Sequence, residues 1–282
     1  MNDLITLFAG TIGLSAPLIL AAMGGLVSER SGIINIALEG KMLIAAVAVW
    51  LIGVNTGNPF LGLAAGIGAA SLLSVFHWIL TQRFAVDHVV SGMAINALAF
   101  GGSNFLDKKY TNPSQVNFAK FDSWLYWIVA IGLPVVIWIY LARTRGGLRL
   151  MAVGNDPDKS RQMGLFPQRI RLFSLVGTGV FCGIAGSLIV SYAGSFNDGM
   201  TSGKGFIALA ALIVGGWRPM PALIACLVFG MLNQLQIQFQ GVPVAGVMVP
   251  NWVWLSLPYL ATVVALAGFM GKDRTPKGLG KP

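Results

Sequence analysis

Long apolar runs separated by short polar gaps constrain this sequence more than any other feature. A helix needs about 20 mostly apolar residues to cross the hydrocarbon core of a membrane. Eight runs approach that length: Leu4–Val27, Ile33–Val54, Phe60–Leu80, Val89–Leu106, Trp124–Ala142, Leu172–Tyr192, Pro219–Leu235 and Trp252–Met270. Only 10% of the residues are charged, whereas soluble domains carry about 25%. The sequence therefore predicts an all-α, polytopic bundle of transmembrane helices in one domain covering residues 1–282.

The basic residues predict how this bundle crosses the membrane. They concentrate in the gap 143–171 and in the tail 271–282, and cytoplasmic segments are enriched in Lys and Arg. Both segments can be cytoplasmic only if a shorter apolar run, Gly205–Gly216, also crosses. We therefore expect eight to ten spans, with nine favoured, and an extracytoplasmic N-terminus. The same count places Ser28–Gly32 and Gln82–His88 in the cytoplasm.

Composition and motifs exclude several other functions. The net charge of +9 does not indicate a nucleic-acid partner, because the basic residues lie in the gaps between spans. Cys182 and Cys226 lie inside apolar runs, which favours packing over a disulfide or a metal site. The chain has no zinc-hydrolase or serine-nucleophile motif and no phosphate-binding loop. We expect no catalytic residues, no metal and no bound cofactor, so any ATP would bind to another polypeptide.

The segment Ser28–Lys41 places polar residues inside an apolar run. If Asn35 and Glu39 lie on one helix, their spacing of four puts them on the same face, and Gly32 and Gly40 would allow the helix to break nearby. An ionisable residue inside a membrane is costly and usually faces a partner or a water-filled path. The alternative is that Glu39 pairs with Lys41 or caps a helix end near the interface.

A short capped helix is predicted in the cytoplasmic gap. Asp is favoured as an N-cap and Pro at the first helical position, and Gly fits the residue after the C-cap. The residues of this pattern are Asp156, Pro157, Asp158, Lys159, Arg161 and Gly164. A helix of about seven residues is too short to be stable alone. It must either dock into a groove on a cytoplasmic partner or pack on its own protein.

Three segments resemble one protein family, in the same order and at similar separation. They are ERSGIINIALEGKMLIAA (29–46), GLRLMAVGNDPDKSRQMG (147–164) and GFIALAALIVGGWRPMPAL (205–223). The chain is identified by them as a permease subunit of bacterial ABC importers for branched-chain amino acids, ribose and related sugars, or nucleosides. The first segment is most similar to the shorter permease of the nucleoside-type branch.

The resemblance implies a type II-like importer fold in the bacterial inner membrane and a set of partners. These are cytoplasmic ATPase subunits, a second permease that is identical or paralogous, and an extracytoplasmic solute-binding protein. The helix Pro157–Met163 would be the coupling helix that docks on the ATPase. Residues beside the transport path would include Gly32, Asn35, Glu39, Gly40 and the start of a second segment at Phe206. Polar side chains of Asn96 and Asn233 are further candidates for lining that path.

Alternative functions stay open at this point. Within the family, the solute could be a ribose-type sugar or a branched-chain amino acid instead of a nucleoside. Outside the family, a transporter acting alone could use Glu39 as a proton or ion site. An intramembrane enzyme is disfavoured because the sequence lacks a catalytic constellation.

Overall fold

The structure is a computed structural model that describes residues 2–111, 123–241, 250–269 and 275–281. Within these ranges the regular secondary structure is entirely helical. The α-helices are α1 (Asn2–Arg30), α2 (Leu38–Thr56), α3 (Pro59–Trp78), α4 (His88–Tyr110), α5 (Ser123–Arg143), α6 (Arg145–Asn155), α7 (Pro157–Gln162), α8 (Pro167–Ala193), α9 (Lys204–Val214), α10 (Pro219–Phe239) and α11 (Asn251–Phe269). A π-helical turn, Ile79–Arg83, extends α3.

The described helices confirm the all-α bundle. Among them, seven are long and apolar enough to cross a membrane, namely the helices containing α1 to α5, α8 and α10. Both α9 and the apolar part of α11 are shorter. At 1.5 Å per residue, the 11 residues of α9 rise about 16 Å, roughly half the hydrocarbon thickness. The run Gly205–Gly216, predicted to cross, is therefore a half-length helix.

Helix α1 forms the centre of the bundle. It packs against α5, α8, α9 and α10, and nearly all side chains from Leu14 to Val27 are buried. Small residues then bring α2, α3 and α8 together. A Cβ on Gly183 would lie 2.5 Å from the Cα of Ile67, and one on Gly62 would lie 2.7 Å from the Val49 carbonyl oxygen. These glycines allow close backbone approach, which is how helices associate within lipid.

Segments predicted to lie on the cytoplasmic side meet at one end of the bundle. The Arg171 guanidinium donates to the Ser31 carbonyl (3.2 Å) and to Oε1 of Gln82 (2.6 Å). Gly154 lies so close to the end of α1 that a Cβ on it would collide with the carbonyl oxygen of Arg30. The sequence did not predict α6, which contributes this contact and buries Gly147, Leu150, Val153 and Gly154 along one face.

Candidate functional site

The first break in the helical bundle lies between α1 and α2. Gly32 adopts a φ of +101°, which glycine tolerates and other residues rarely adopt. Helix α1 therefore ends at Arg30, and the next helix begins only at Leu38. The expectation that Asn35 and Glu39 share a helical face is wrong, because Asn35 precedes the start of α2.

The second break lies between α8 and α9. Residues 194–203 form bends and turns rather than a helix, with positive φ at Gly194, Gly199 and Gly203. Gly203 is the N-cap residue of α9 and has no side chain to accept a hydrogen bond. The first N–H groups of α9 therefore need an acceptor from elsewhere in the protein.

Glu39 of α2 supplies that acceptor. Its Oε1 accepts from the Gly203 N–H (2.8 Å) and its Oε2 from the Gly205 N–H (2.6 Å). A carboxylate is favourable at a helix N-terminus, because it meets unpaired N–H groups and the positive end of the helix dipole. Gly205 makes this approach possible, since a Cβ there would collide with the backbone of Glu39. Glu39 therefore caps a helix end, which was one of the alternatives, and the capped helix belongs to the other half of the chain.

Asn96 of α4 caps α2 in the same way. Ala37, at the N-cap position of α2, makes no side-chain cap. Instead, Asn96 Oδ1 accepts from the Gly40 N–H (2.8 Å), and Asn96 Nδ2 donates to the Ile36 carbonyl (3.0 Å). A Cβ on Gly40 would lie 2.9 Å from the Cα of Asn96, so the glycine permits this close contact. Both helices that follow a break thus receive their caps from other segments.

A cavity of about 390 Å³ lies between the start of α2, helix α4, the second break and the start of α9. Its volume is within the range of about 300–1,000 Å³ that is typical of small-molecule sites. The lining residues are Glu39, Gly40, Leu43, Asn96, Ala97, Phe100, Gly199, Thr201, Ser202, Gly203 and Phe206. Four residues predicted beside the path, Glu39, Gly40, Asn96 and Phe206, therefore come together here.

Sequence reasoning missed the other lining residues, among them Phe100 and Thr201. Phe100 lies in an apolar run, where its pattern does not differ from that of a lipid-facing aromatic. Thr201 lies in the turn before α9, and its burial depends on contacts distant in sequence.

Asn233 lines a separate cavity of about 240 Å³. This second cavity also contacts Lys204, Gln236 and Tyr259. Ser202 borders both cavities, so the turn before α9 separates them.

Asn35 and Gly32 do not line the 390 Å³ cavity and lie buried in the protein interior. The Asn35 Oδ1 accepts from Lys41 Nζ (3.1 Å), and its Nδ2 donates to Ser28 Oγ (2.9 Å). Lys41 is itself fully buried, and its Nζ lies 3.3 Å from His77 Nδ1. These contacts fasten the first break to α1 and α3.

Glu29 and Arg30 hold the other end of α9. The Trp217 indole Nε1 donates to Glu29 Oε2 (2.6 Å), and the Asn35 N–H donates to Glu29 Oε1 (3.3 Å). The Arg30 guanidinium donates twice to the Trp217 carbonyl, at 2.9 and 2.6 Å. Trp217 follows α9 and adopts a φ of +53°. The half-length helix is thus fixed at both ends to residues that flank the first break.

Helix α7 forms at the predicted place in the 143–171 gap. Asp156 Oδ1 accepts from the Lys159 N–H (3.0 Å), and this hydrogen bond holds the pKa of Asp156 below its ordinary value. Gly164 has a φ of +79°, as expected after a C-cap. The helix ends at Gln162, one residue earlier than predicted. The side chains of Asp158, Lys159 and Arg161 are exposed, so an outward surface of α7 is free of contacts with its own protein.

The C-terminal tail connects α6 to the first break. The Gly278 N–H donates to the Gly154 carbonyl (2.9 Å), and the Gly280 N–H donates to the Gly32 carbonyl (2.9 Å). A Cβ on Gly278 would also lie 3.1 Å from Cδ of Pro157. A movement of α7 would therefore reach Gly32 through two segments, helix α6 and the C-terminal tail.

In the described part of the chain, no three His, Cys, Asp or Glu side chains come together as a metal-ligand set. Cys182 and Cys226 are free thiols buried in the helical core.

Comparison with known proteins finds a protein family that matches most of the chain. Residues 7–267 match the family described as the permease component of branched-chain amino acid transport systems. The guanosine ABC transporter permease protein NupQ of Bacillus subtilis is 37% identical, over 96% of this chain and 94% of NupQ.

Two further relatives are 30% identical. They are the nucleoside ABC transporter permease protein NupC of Lactococcus lactis and the putative glucose ABC transporter permease protein TsgC13 of Haloferax volcanii. NupC is matched over 99% of this chain and 97% of its own length. TsgC13 is matched over 93% of this chain and 90% of its own length.

Proposed function

The chain belongs to the family of permease components of branched-chain amino acid transport systems, and we propose that it is the membrane subunit of an ATP-driven nucleoside importer. Its helices make it a multi-pass protein of the cell membrane. The nucleoside assignment is supported by the names of two relatives, the guanosine ABC transporter permease protein NupQ and the nucleoside ABC transporter permease protein NupC. It is also supported by the chemistry of the 390 Å³ cavity.

The charged groups in the cavity lining favour an uncharged solute, and this observation is the main support for the proposal. Glu39 is the charged residue in its lining, and the lining contains no Lys or Arg. The phosphate of a nucleotide, or the carboxylate of an amino acid, would find no Lys or Arg in this lining to pair with, which is unfavourable away from water. A nucleoside is neutral and presents a flat apolar ring with polar edges, which fits the Phe, Thr and Ser side chains of the lining.

The energy for transport would come from partner subunits. We assign ATP binding and hydrolysis to cytoplasmic ATPases and no catalytic role to this chain. The exposed helix α7, bounded by Asp156 and Gly164, is the proposed coupling helix. Its movement would pass through α6 and the tail to Arg30 and Gly32, and then to α9, so that the two breaks switch between two packed arrangements.

The remaining partners complete the path. A second permease, identical or paralogous, would form the other half of the path across the membrane. An extracytoplasmic binding protein would deliver the solute. Glu39, Gly40, Asn96 and Phe206 would border the path, while Asn35 and Gly32 would support the first break from inside the protein.

Reconstitution tests the proposal directly. The chain, its second permease, the ATPases and the binding protein are placed in proteoliposomes, and uptake of labelled guanosine, guanosine monophosphate, ribose, glucose and leucine is measured with and without ATP. We expect ATP-dependent uptake of guanosine that exceeds uptake of leucine and of guanosine monophosphate by at least about tenfold. Preferential uptake of glucose or ribose would favour a sugar importer, as the name of TsgC13 suggests. Solute uptake by the chain without ATPases would overturn the subunit assignment.

A further inference from the structure

Two phenylalanine rings and one buried hydroxyl group border the 390 Å³ cavity together. Phe100 of α4 and Phe206 of α9 are 53% and 47% exposed, so each ring keeps surface that its own protein does not cover. Thr201, in the turn before α9, is 1% exposed. The rings come from opposite halves of the chain and meet at the cavity because the second break packs against α4 there.

The Thr201 hydroxyl keeps unused hydrogen-bonding capacity. Its Oγ1 is buried and has no hydrogen-bond partner among the described residues. Other polar side chains of the lining are occupied, since both oxygens of Glu39 and both polar atoms of Asn96 bond to backbone groups. A buried hydroxyl without a partner is costly, so a solute group that bonds to Thr201 would gain from an interaction that the protein does not satisfy.

The second break fixes the position of Phe100. Gly199 has a φ of +64°, and a Cβ on it would lie 3.2 Å from Cε2 of the Phe100 ring. The turn that carries Thr201 thus packs directly against the ring of α4. Phe206 lies two residues after Lys204, the first residue of α9, so its position follows from the Glu39 cap.

We propose that Phe100, Phe206 and Thr201 form a selectivity element within the membrane that recognises the base of a nucleoside. This inference rests on the proposed function and extends it to named side chains. Aromatic rings stack on any flat base, and the Thr201 hydroxyl can donate to or accept from a polar edge of the solute. A sugar without a base would lose the stacking contacts, so the element favours nucleosides over free hexoses.

The test measures nucleoside delivered per ATP hydrolysed in the reconstituted complex with guanosine-loaded binding protein. Loss of one stacking ring, in Phe206→Leu or Phe100→Leu, should lower this ratio by about tenfold. Phe206→Tyr keeps the ring and should recover most of the delivery. Thr201→Val removes the hydroxyl at nearly constant volume and should lower the ratio about fivefold, whereas Thr201→Ser should recover most of it. Phe76→Leu on α3, where the ring is 42% exposed and away from the cavity, is the matched control and should match wild type.

The outcomes separate three explanations. Wild-type ratios in Phe206→Leu, Phe100→Leu and Thr201→Val would overturn the selectivity element while leaving nucleoside transport intact. Equal losses of ATP hydrolysis and delivery, unrecovered by Phe206→Tyr, would show a structural role and also overturn it. Failure of the wild-type complex to deliver guanosine, with delivery of a sugar instead, would overturn the proposed function itself.

Discussion

Two glutamates flank the first helix break, and each holds one end of α9. Glu39 is partly exposed, caps the N-terminus of α9 with two short hydrogen bonds and borders the 390 Å³ cavity. Glu29 is 2% exposed and bonds to the Trp217 indole just after the C-terminus of α9. The same residue type therefore lines a cavity at one end of α9 and is buried in the protein interior at the other. The difference lies in what else each carboxylate faces.

The two ends of α9 also differ in what could move them. At its start, α9 depends on a side chain that lines a cavity, and solute in that cavity can affect the contact. At its end, α9 depends on Glu29 and Arg30. Of these two, Arg30 lies beside Gly154 of α6 and hence near α7. Solute and ATPase would thus act on opposite ends of one short helix.

Replacement of Gly205 should have the largest effect on solute uptake, because only a residue without a side chain lets Glu39 approach the start of α9 so closely. In Gly205→Ala the added Cβ collides with the backbone of Glu39, so α9 must shift away from α2. We expect at least a tenfold loss of solute uptake and a lower thermal midpoint of the purified complex. Gly68→Ala is the matched control, since a Cβ there meets no atom within 4 Å. Equal behaviour of the two variants would contradict the close approach of α2 and α9.

Replacing each glutamate by glutamine should distinguish the roles of Glu39 and Glu29. Gln has one acceptor oxygen, and its NH₂ group would face an N–H donor. Glu39→Gln loses a hydrogen bond of 2.6 or 2.8 Å, and we expect about 1–3 kcal/mol of destabilisation and about a tenfold loss of uptake. Glu29→Gln can keep the Trp217 bond and lose only the 3.3 Å contact with Asn35. It should therefore cost less in both stability and uptake, and the reverse order would contradict the assigned roles.

Changes at α7 should have the smallest effect on the folding of the helical bundle. They should instead reduce the coupling between solute and ATP hydrolysis. Asp156→Ala removes the N-cap, and Gly164→Val forces a side chain into a φ of +79°. Both should lower solute-stimulated ATP hydrolysis about two- to fivefold without preventing membrane insertion. Asp156→Asn keeps a capping oxygen and serves as the control. Unchanged stimulation in both variants would remove the coupling assignment.

The Asp156 cap should not depend on pH near neutrality. Its pKa is lowered in the folded protein, so its contribution is present above the unfolded value of about 3.9 and is lost only as pH falls through the folded pKa. Stimulation measured between about pH 6 and 8 should therefore show no transition from this group.

The elements that the sequence predicted are those determined by local pattern. Apolar runs identified the seven described helices that are long and apolar enough to cross a membrane, and the Asp156, Pro157 and Gly164 pattern identified α7 within one residue. The runs Gly205–Gly216 and Trp252–Met270 were also predicted to cross, but the described apolar helices there are shorter. Helix α6 was missed because Gly146 and Gly147 resemble a loop, although Gly147 is needed where α6 packs on α5.

The candidate site was predicted only in part because it depends on contacts between distant segments. The polar residues in the first break pointed to Glu39 and Gly40, but sequence spacing could not show that Glu39 caps a helix about 165 residues later. Nor could it show that Asn35 lies in the interior instead of on the cavity. Thr201 and Phe100 border one cavity only because the second break packs against α4 in the folded protein.

Chemical access to Ser202 shows whether the 390 Å³ cavity belongs to the solute path. Ser202 is exposed and lines this cavity, whereas the native Cys182 and Cys226 are fully buried. In the reconstituted complex, Ser202→Cys should react with a membrane-impermeant maleimide, and guanosine supplied with its binding protein should slow the reaction at least about fivefold. The parent chain should stay unlabelled, and leucine should give no protection. An unreactive Cys at position 202, or a rate that guanosine leaves unchanged, would contradict the account.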